Sequence, residues 1–490
     1  MGWLNRFKSA LGFTPLHEAS GWGRRAMMWR PSNTGPMGTQ LAIGPDLLIK
    51  SRDIVRRNAI AFAGVEAVVA NAIGTGIKPQ SLATDAYLRE RIQALWRDWV
   101  EEADSDDVTD FYGLQSLAMR AMVEGGECLI KLIPQSDGAD SVVPLKLQLL
   151  EPELLPMHLN SMLPNGNVIR SGIEFNAQGR RVAYHLYGHH PNDGVFPMSS
   201  ESLVPIRVDA AQIIHLYRPL RPGQIRGEPW LSRALIKLEE LDEYDDAELV
   251  RKKTAAMFAG FITRSSPEEN LMGEGPSNQQ GISQAGLEPG TMQVLEAGED
   301  IKFSSPADVG ANYSEFLRMQ YRSVAGAMGC TFEQLTGDLT QVNYSSIRAG
   351  LLEFRRRIEA IQHGVLVHQM CRPIWRAWMD QAVLSGALDA PDYLKSRRQY
   401  LAAKWVPQGW QWVDPLKETN AMLAAIRAGL MSRSEAISSS GYDAEDTDNE
   451  IALDNARADG LGLKFDSDPR WDKQVNAPVD KTAKDQQQAD

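Results

Sequence analysis

Leu335 to Leu384 reads LTGDLTQVNYSSIRAGLLEFRRRIEAIQHGVLVHQMCRPIWRAWMDQAVL, a polar loop that turns into a long helix. From Ile347 onward, apolar residues fall at Ile347, Leu351, Phe354, Ile358, Ile361 and Val365, the four-three spacing that draws one stripe along an α-helix. Arg355, Arg356, Glu359 and Gln362 occupy the opposite face. Ser345 and Ser346 are suitable caps, and Pro373, lacking an N–H, predicts a kink near the far end. About 40 residues at 1.5 Å each reach roughly 60 Å, more than an ordinary domain helix needs. Such a stripe alone fits any packed core helix. The loop ahead of it, Thr336 to Tyr344, carries hydroxyls, amides and one acid with almost no apolar anchor, and so is expected to face solvent or a ligand.

Outward from this run, a chain of 490 residues can bury about two to four domains or subdomains. Lysine and arginine number 51 against 63 acids, a formal net charge of −12, which argues against a simple DNA-coating protein. Cys128, Cys330 and Cys371 lie far apart and form neither a disulfide framework nor a CxxC pair, as expected in a reducing compartment. Met1 to Phe13 lacks the apolar core of a signal peptide. The stretch nearest to a membrane span, Ala59 to Ile77, is interrupted by Glu66, Asn71 and three glycines, so no membrane partner is expected.

In chain order, residues 1–45 read as a flexible arm rich in Gly, Pro, Ser and Asn, with order expected from about Asp46. Helical patterns follow at Asp46–Val69, Asp85–Ala103 and Thr109–Glu124. The period then shortens: Glu127–Ile133, Val142–Leu150, Val168–Phe175, Arg181–Tyr187 and Leu203–Tyr217 read as strands, with a hairpin turn at Asn176–Gly179. At Gly227-Glu228-Pro229 a helix of about 30 residues is expected to begin, with the proline in its first turn. It crowds Glu239, Glu240, Asp242, Glu243, Asp245, Asp246 and Glu248 ahead of Arg251, Lys252 and Lys253. That order suits the helix dipole, so a solvated face explains it as well as a wall that repels a polyanion. Ser265–Thr291 breaks helicity, with a short strand expected at Met292–Ala297. Asn312 and Glu315 signal a capping box that opens the next helix. Near the C-terminus, Trp405, Trp410 and Trp412 are expected to anchor Lys404–Val413. Three punctuated helices come after it, opening at Asp414-Pro415, at Ser432 with Glu435, and at Thr447 with Glu450. Residues 464–490 read as a disordered tail. The fold class is α+β, mainly α-helical.

A search for catalytic chemistry finds no GxxxxGK(S/T) loop, no HExxH and no GxSxG elbow. His189 and His190 are adjacent, and His363 and His368 are five apart, both poor spacings for joint ligation, so neither a metal nor a cofactor is expected. A soluble α+β hydrolase or metal-dependent nuclease built on Asp104, Asp106, Asp107 and His215 is the alternative from another class, although a turn after a helix explains the acids. Basic clusters at Arg251–Lys253, Arg355–Arg357 and Lys395–Arg398 are scattered and diluted by acid, against a non-viral DNA-binding module.

From about Asp46 to Leu463 the chain resembles the lambda-type family of tailed-bacteriophage portal proteins. The residues carrying the resemblance are Arg52-Asp53 to Asn58, Asn71 to Gly76 (NAIGTG), and Ile213-Ile214-His215 leading to Arg221-Pro222-Gly223-Gln224-Ile225-Arg226-Gly227. Asp246-Ala247-Glu248-Leu249, Ala255 to Gly260, Leu335-Thr336-Gly337-Asp338, Asn343-Tyr344-Ser345-Ser346 and Trp412-Val413-Asp414-Pro415 with Lys417-Glu418 continue it. Each fragment alone is weak; their order and spacing are specific.

The resemblance implies a non-enzymatic ring, typically of twelve subunits, at one capsid vertex, through which double-stranded DNA is packaged and ejected. It implies a wing over 46–229, stem helices over 230–260 and 307–330 around a clip at 261–306, and a tunnel loop at 331–346. A long kinked helix over 347–388 would return to the wing, and 389–463 would hold the wing end and helical crown. The DNA-facing candidates are Thr336, Asp338, Thr340, Gln341, Asn343, Tyr344 and Ser345; the acidic stem candidates are Glu239, Glu240, Asp242, Glu243 and Asp246. Arg264, Glu268, Glu269 and Glu274 of the clip would dock the large subunit of the terminase and then head-tail connector or neck proteins. The major capsid protein and scaffold are further implied partners, with the virion as destination and the host cytoplasm as the place of assembly.

Overall fold

A computed structural model of the chain describes residues 33–135, 141–193, 204–256, 260–264, 299–303, 312–340, 342–410, 415–463 and 465. The first described helix, α1 (Pro36–Arg57), starts at Pro36 rather than near Asp46. Gly35 is extended, and a proline fits an opening turn whose N–H groups have no intrahelical partner. One continuous helix to Val69 is also not formed. Asn58 breaks it: the residue is extended, and its side chain accepts the Ala61 N–H to cap α2 (Ala59–Ala72). Ala61, Val65, Val68 and Ala72 of α2 are at most 1% exposed, so this apolar stretch is core. Among the described residues no helix is long and apolar enough to cross a membrane.

After a short strand β1 (Lys78–Ser81) come α3 (Ala86–Val100), capped by Asp85, and α4 (Phe111–Gly125), capped by Asp110. Their stripes bury Ile92, Leu95, Trp96 and Trp99 on α3 and Leu114, Ala118, Met119 and Met122 on α4. The strands follow as β2 (Glu127–Pro134), β3 (Leu145–Leu150), β4 (Ser161–Met162), β5 (Val168–Arg170), β6 (Ile173–Phe175), β7 (Arg181–Leu186), β8 (Ile206–Asp209) and β9 (Ile213–Tyr217). They make two antiparallel sheets, β3-β2-β9 and β4-β5-β6-β7-β8. Two of the expected strands divide. Ser171 and Gly172, at φ 50° and 81°, turn Val168–Phe175 into the β5–β6 hairpin, and a 3-10 turn at Ala210–Gln212 sends β8 and β9 to different sheets. The Asn176–Gly179 turn is formed as expected, with the Asn176 carboxamide accepting the N–H groups of Gln178 and Arg180.

Pro229 leads into a 3-10 turn, Trp230–Arg233, and the α-helix begins only at Leu235 as α5 (Leu235–Ala256). Strands β10 (Gly260–Arg264) and β11 (Glu299–Phe303) pair antiparallel beyond it. The expected loop Ser265–Thr291 and strand Met292–Ala297 lie outside the described residues. Helix α6 (Asn312–Met328) and a short α7 (Phe332–Thr336), opened by a Thr331/Gln334 capping box, lead to the opening stretch.

That stretch is not one kinked α-helix. It is α8 (Tyr344–Ile361), a π-helical segment over Gln362–Cys371, and α9 (Arg372–Leu384). The Arg372 N–H reaches back five residues to the Val367 carbonyl, immediately ahead of Pro373. A proline ring collides with the carbonyl four residues before it, and the widened turn accommodates that conflict before α9 begins. Phe354, Ile358, Ile361 and Val365 are buried as the stripe requires, while Ile347 and Leu351 are only half-buried. The amino-terminal end of α8 thus projects from the core.

Trp375 and Trp378 of α9 both meet Trp96 of α3, Trp378 also meets Trp99, and Phe111 of α4 packs against Trp96 and Trp99; the Trp96–Trp378 and Trp375–Trp378 ring centroids are 5.0 and 5.1 Å apart. Past α10 (Tyr393–Tyr400), strand β12 (Ala403–Val406) pairs with β1 and buries Trp405. Trp410 donates its indole N–H to Glu359 of α8, whereas Trp412 lies outside the described residues. The last helices are α11 (Pro415–Arg427), α12 (Arg433–Ser439) and α13 (Ala444–Gly460). Ser432 caps α12 as expected, but Asp443, not Thr447, caps α13. An Asp carboxylate four residues upstream reaches the first free N–H groups, which leaves Thr447 inside the helix.

Candidate functional site

Gly337, at φ 70°, ends α7 in the left-handed conformation and aims the chain into the loop. Asp338 then folds the loop on itself, its carboxylate accepting the N–H (3.0 Å) and hydroxyl (2.6 Å) of Thr340. Arg318 of α6 adds an ion pair at 3.0 Å. Together these hold the Asp338 carboxyl below the ordinary carboxylate range, the Thr340 contacts being the larger cause. The loop is therefore tied by charge where apolar anchors are few, and its one acid is neutralised. Thr336 turns inward, donating to the Phe332 carbonyl and accepting the Asp338 N–H. Leu339 and Thr340 are exposed, and so is Ser345.

Asn343, rather than Ser345 or Ser346, is the cap of α8, accepting the Ser346 N–H at 2.8 Å. In NYSS three neighbouring residues could each cap; Asn343 is the one with extended backbone. Asn343→Ala is expected to cost about 1 kcal/mol and to fray the first turn of α8, read as faster amide exchange at Ser346 and Ile347 with the global unfolding midpoint little changed. Gln341 and the Tyr344 side chain lie outside the described residues.

The acidic helix α5 sorts its charges by face. Leu238 and Leu241 are buried. Glu239 and Asp242 close on Arg57 of α1, and Asp242 also accepts from Asn58 at 3.2 Å. Asp245 accepts the hydroxyls of Tyr313 (2.6 Å) and Tyr321 (3.2 Å) on α6; burial and then this carboxylate push Tyr321 up to about 12. Lys237 reaches Ser323, so α5 and α6 run antiparallel. Glu240, Glu243 and Asp246 face solvent. The structure thus keeps the candidates Glu240, Glu243 and Asp246 outward and commits Glu239 and Asp242 to internal pairing. Arg264 ends β10 opposite Glu299, while Glu268, Glu269 and Glu274 lie outside the described residues.

The nuclease grouping is not assembled. Asp104 accepts the N–H groups of Asp106, Val108 and Thr109, a turn-shaping role, and Asp107 pairs with Lys146. His215 lies on β9, separated from the Asp104 edge of the sheet by β2 and β3. It is engaged by Glu127 at 2.9 Å. Glu127 also binds Arg226 at 2.5 Å and accepts the Gly227 N–H at 2.7 Å. The Arg226 guanidinium further donates to the carbonyls of Leu155, Ser171 and Pro152. Burial alone would raise the Glu127 carboxyl, but Arg226 and His215 outweigh it and bring it to about 2. Burial lowers His215, against the pull of Glu127. Sequence reasoning placed His215 and Arg226 in motifs without seeing that they form one buried hub with Glu127. Nor did it mark the reason for Gly227, where a Cβ would lie 2.0 Å from the Gly126 carbonyl oxygen.

One cluster has ligand chemistry: atoms of Glu151, Glu153 and His190 lie within 4.8 Å of one another. Arg52 already pairs with both carboxylates, and the His190 Nδ1 accepts the Asn192 N–H, which leaves the proton on Nε2. Arg52 of α1 is thus tied to the turn after β3, and His190, beyond the end of β7, lies beside the same carboxylates.

A family model described as "Phage portal protein, lambda family" matches residues 22–362 of this chain. The chain is similar to a probable portal protein of Halomonas phage phiHAP-1, 28% identical over 402 residues, 80% of this chain and 75% of that protein. It is similar to portal protein B of Escherichia phage lambda, 20% identical over 511 residues, 94% of this chain and 93% of that protein. Among solved structures it is similar to a chain titled as the neck of a native GTA particle computed with C12 symmetry, 16% identical with a TM-score of 0.45, covering 83% of this chain and 93% of that one.

Proposed function

The chain belongs to the lambda family of phage portal proteins, and on that premise we propose that copies of it form a ring at one capsid vertex, through which double-stranded DNA is packaged and later ejected. The observation that carries this reading is the succession of antiparallel α5 and α6, an excursion opening with the β10–β11 ribbon, and a loop with its one acid neutralised, pinned by Arg318 to α6. In this reading α5 and α6 are the stem, residues 261–306 the clip that docks terminase and then neck proteins, and 331–346 the tunnel loop. Residues 46–229 form the wing, 347–388 the strut that returns to it, and 389–463 the wing end and crown inside the head. Capsid protein and scaffold hold the ring in the virion, and assembly takes place in the host cytoplasm. The ring guides DNA without catalysis of its own: a net charge of −12 per chain keeps a polyanion from adhering, and a loop offering hydroxyls and amides makes weak, exchangeable phosphate contacts.

Negative-stain images of the purified full-length chain are expected to show rings with an axial hole; a chain that stays monomeric at every concentration overturns the reading. Within rings, Gln341→Lys is expected to leave assembly intact and to slow DNA passage, with added salt relieving the defect. Each new lysine–phosphate contact should steepen the slope of log affinity against log salt by about 0.9. Failed assembly with normal passage in mixed rings would instead place the loop in the subunit interface.

A further inference from the structure

Two helices of this chain present opposite charge on the faces they turn away from the core. On α5 the outward stripe is Ile236, Glu240, Glu243, Ala247 and Val250, with Asp246 beside it. Ile236 is 77% exposed and Val250 59% exposed, so apolar groups bracket the acids. Among the described residues no cation lies within ion-pair distance of Glu240, Glu243 or Asp246; Arg57 is taken by Glu239 and Asp242 on the inner side. On α8 the outward stripe is Arg348, Leu352 and Arg356, one turn apart, with Leu352 48% exposed. Arg356 and Arg357 share the single carboxylate of Glu353, at 3.8 and 3.6 Å.

The basic surface continues around the helix into a cleft of about 510 Å³ lined by Arg218, Trp230, Gly329, Arg357 and Ile361. Arg218 lies over the Trp230 ring. Arg218 is pushed below the ordinary arginine value, loss of solvation in the cleft being the main cause and the neighbouring charges of Arg233 and Arg357 adding to it. Arg233 has Glu228, and Arg356 and Arg357 share Glu353, but Arg218 and Arg348 have no carboxylate within ion-pair distance among the described residues. Such a cluster calls for carboxylates from outside the chain, and the outer face of α5 carries unshared ones.

We propose that the outer face of α5 of one subunit docks on the basic face of α8 and the adjoining Arg218–Arg357 cleft of the next copy of the chain. The proposal rests on the ring reading above and names the contact that would build it. The two patches differ, so the contact is heterologous, the kind that propagates from copy to copy and closes into a ring when the rotation per step permits. Acids ranged against arginines also fix register and orientation, while Ile236, Val250 and Leu352 supply the apolar area that ion pairs alone lack.

Charge reversal tests this. One variant carries Glu240→Arg and Glu243→Arg, the other Arg348→Glu and Arg356→Glu. Each alone opposes like charges at every contact and is expected to lose rings in size-exclusion and negative-stain assays. Mixed in equal amounts, the two are expected to restore rings, because each reversed α5 then meets a reversed α8. Circular dichroism and thermal melting establish that each chain is folded before mixing. The neutral pair Glu240→Gln and Glu243→Gln should shift assembly to at least tenfold higher protein concentration, and unchanged assembly overturns the proposal. So do normal rings from either reversal alone, or no rings from the folded mixture. A base-reversed chain that assembles normally but no longer retains DNA assigns the arginines to phosphate instead. A wild-type chain that never forms rings removes the ring reading and this interface together, whereas rings from every variant remove only the interface.

Discussion

Replacing Arg226 by alanine is expected to destabilise the chain by about 3–5 kcal/mol in urea unfolding, the cost of leaving a buried charge without its partner. Arg226 and Glu127 side chains are each 1% exposed, and the guanidinium serves three carbonyls besides the carboxylate. Removing it leaves a carboxylate with only His215 and the Gly227 N–H, and takes a donor from three carbonyls, of which that of Pro152 keeps the Leu155 N–H. Glu127 has a folded-state value of about 2 against 4.5 for the free group, so its contribution is complete above pH 4.5 and is lost as pH falls toward 2. His215 is lowered from 6.5, so the unfolded chain takes up a proton first and stability declines as pH drops below that value. Both groups make acid destabilising. In Arg226→Ala the decline between pH 4.5 and 2 should largely disappear, because the carboxyl is no longer held down. A loss below about 1 kcal/mol with an unchanged acid limb would show that the hub does not carry the β2–β9 junction.

Trp378→Ala should cost a similar amount, about 3–5 kcal/mol, for a different reason. Trp378 is fully buried and its ring meets those of Trp96, Trp99 and Trp375 at 5.0, 6.3 and 5.1 Å. Its indole nitrogen has no acceptor among the described residues, so the loss is packing and a cavity rather than a hydrogen bond. The contact joins α9 to α3, two helices far apart in the chain. Trp378→Phe, which keeps an aromatic ring in the gap, should recover a good part of the loss; equal damage from both variants would argue that shape alone, not buried volume, is critical at this position.

The helices with stripes were legible because their signal is local: Ile92, Leu95, Trp96 and Trp99 lie on one face of α3 whatever surrounds it. Caps were legible only in part. Ser432 was read correctly, while Asn343 and Asp443 were missed beside Ser345 and Thr447, because several polar residues can cap and the backbone geometry selects among them. The start of α1 was missed because Gly and Pro signal a loop by composition and a helix start by position. The π-helical segment left no trace in the apolar spacing, since four-three periodicity at Ile361 and Val365 is compatible with either winding.

For the candidate site, the sequence by itself determined which residues make the loop and which helix is acidic, because those are matters of order and composition. The same order and spacing pointed to the portal family, whose model matches residues 22–362. Only the tertiary structure decided what the charges do. Glu239 and Glu240 are neighbours in sequence, yet one is drawn to Arg57 and the other faces solvent. Asp338 would read as a free acid without Arg318, and Glu127 as a strand-end acid without Arg226, 99 residues away. A charge has no local periodicity to announce its partner. Its role is fixed by which distant side chain the fold brings within a few ångströms and by how much water the packing leaves between them.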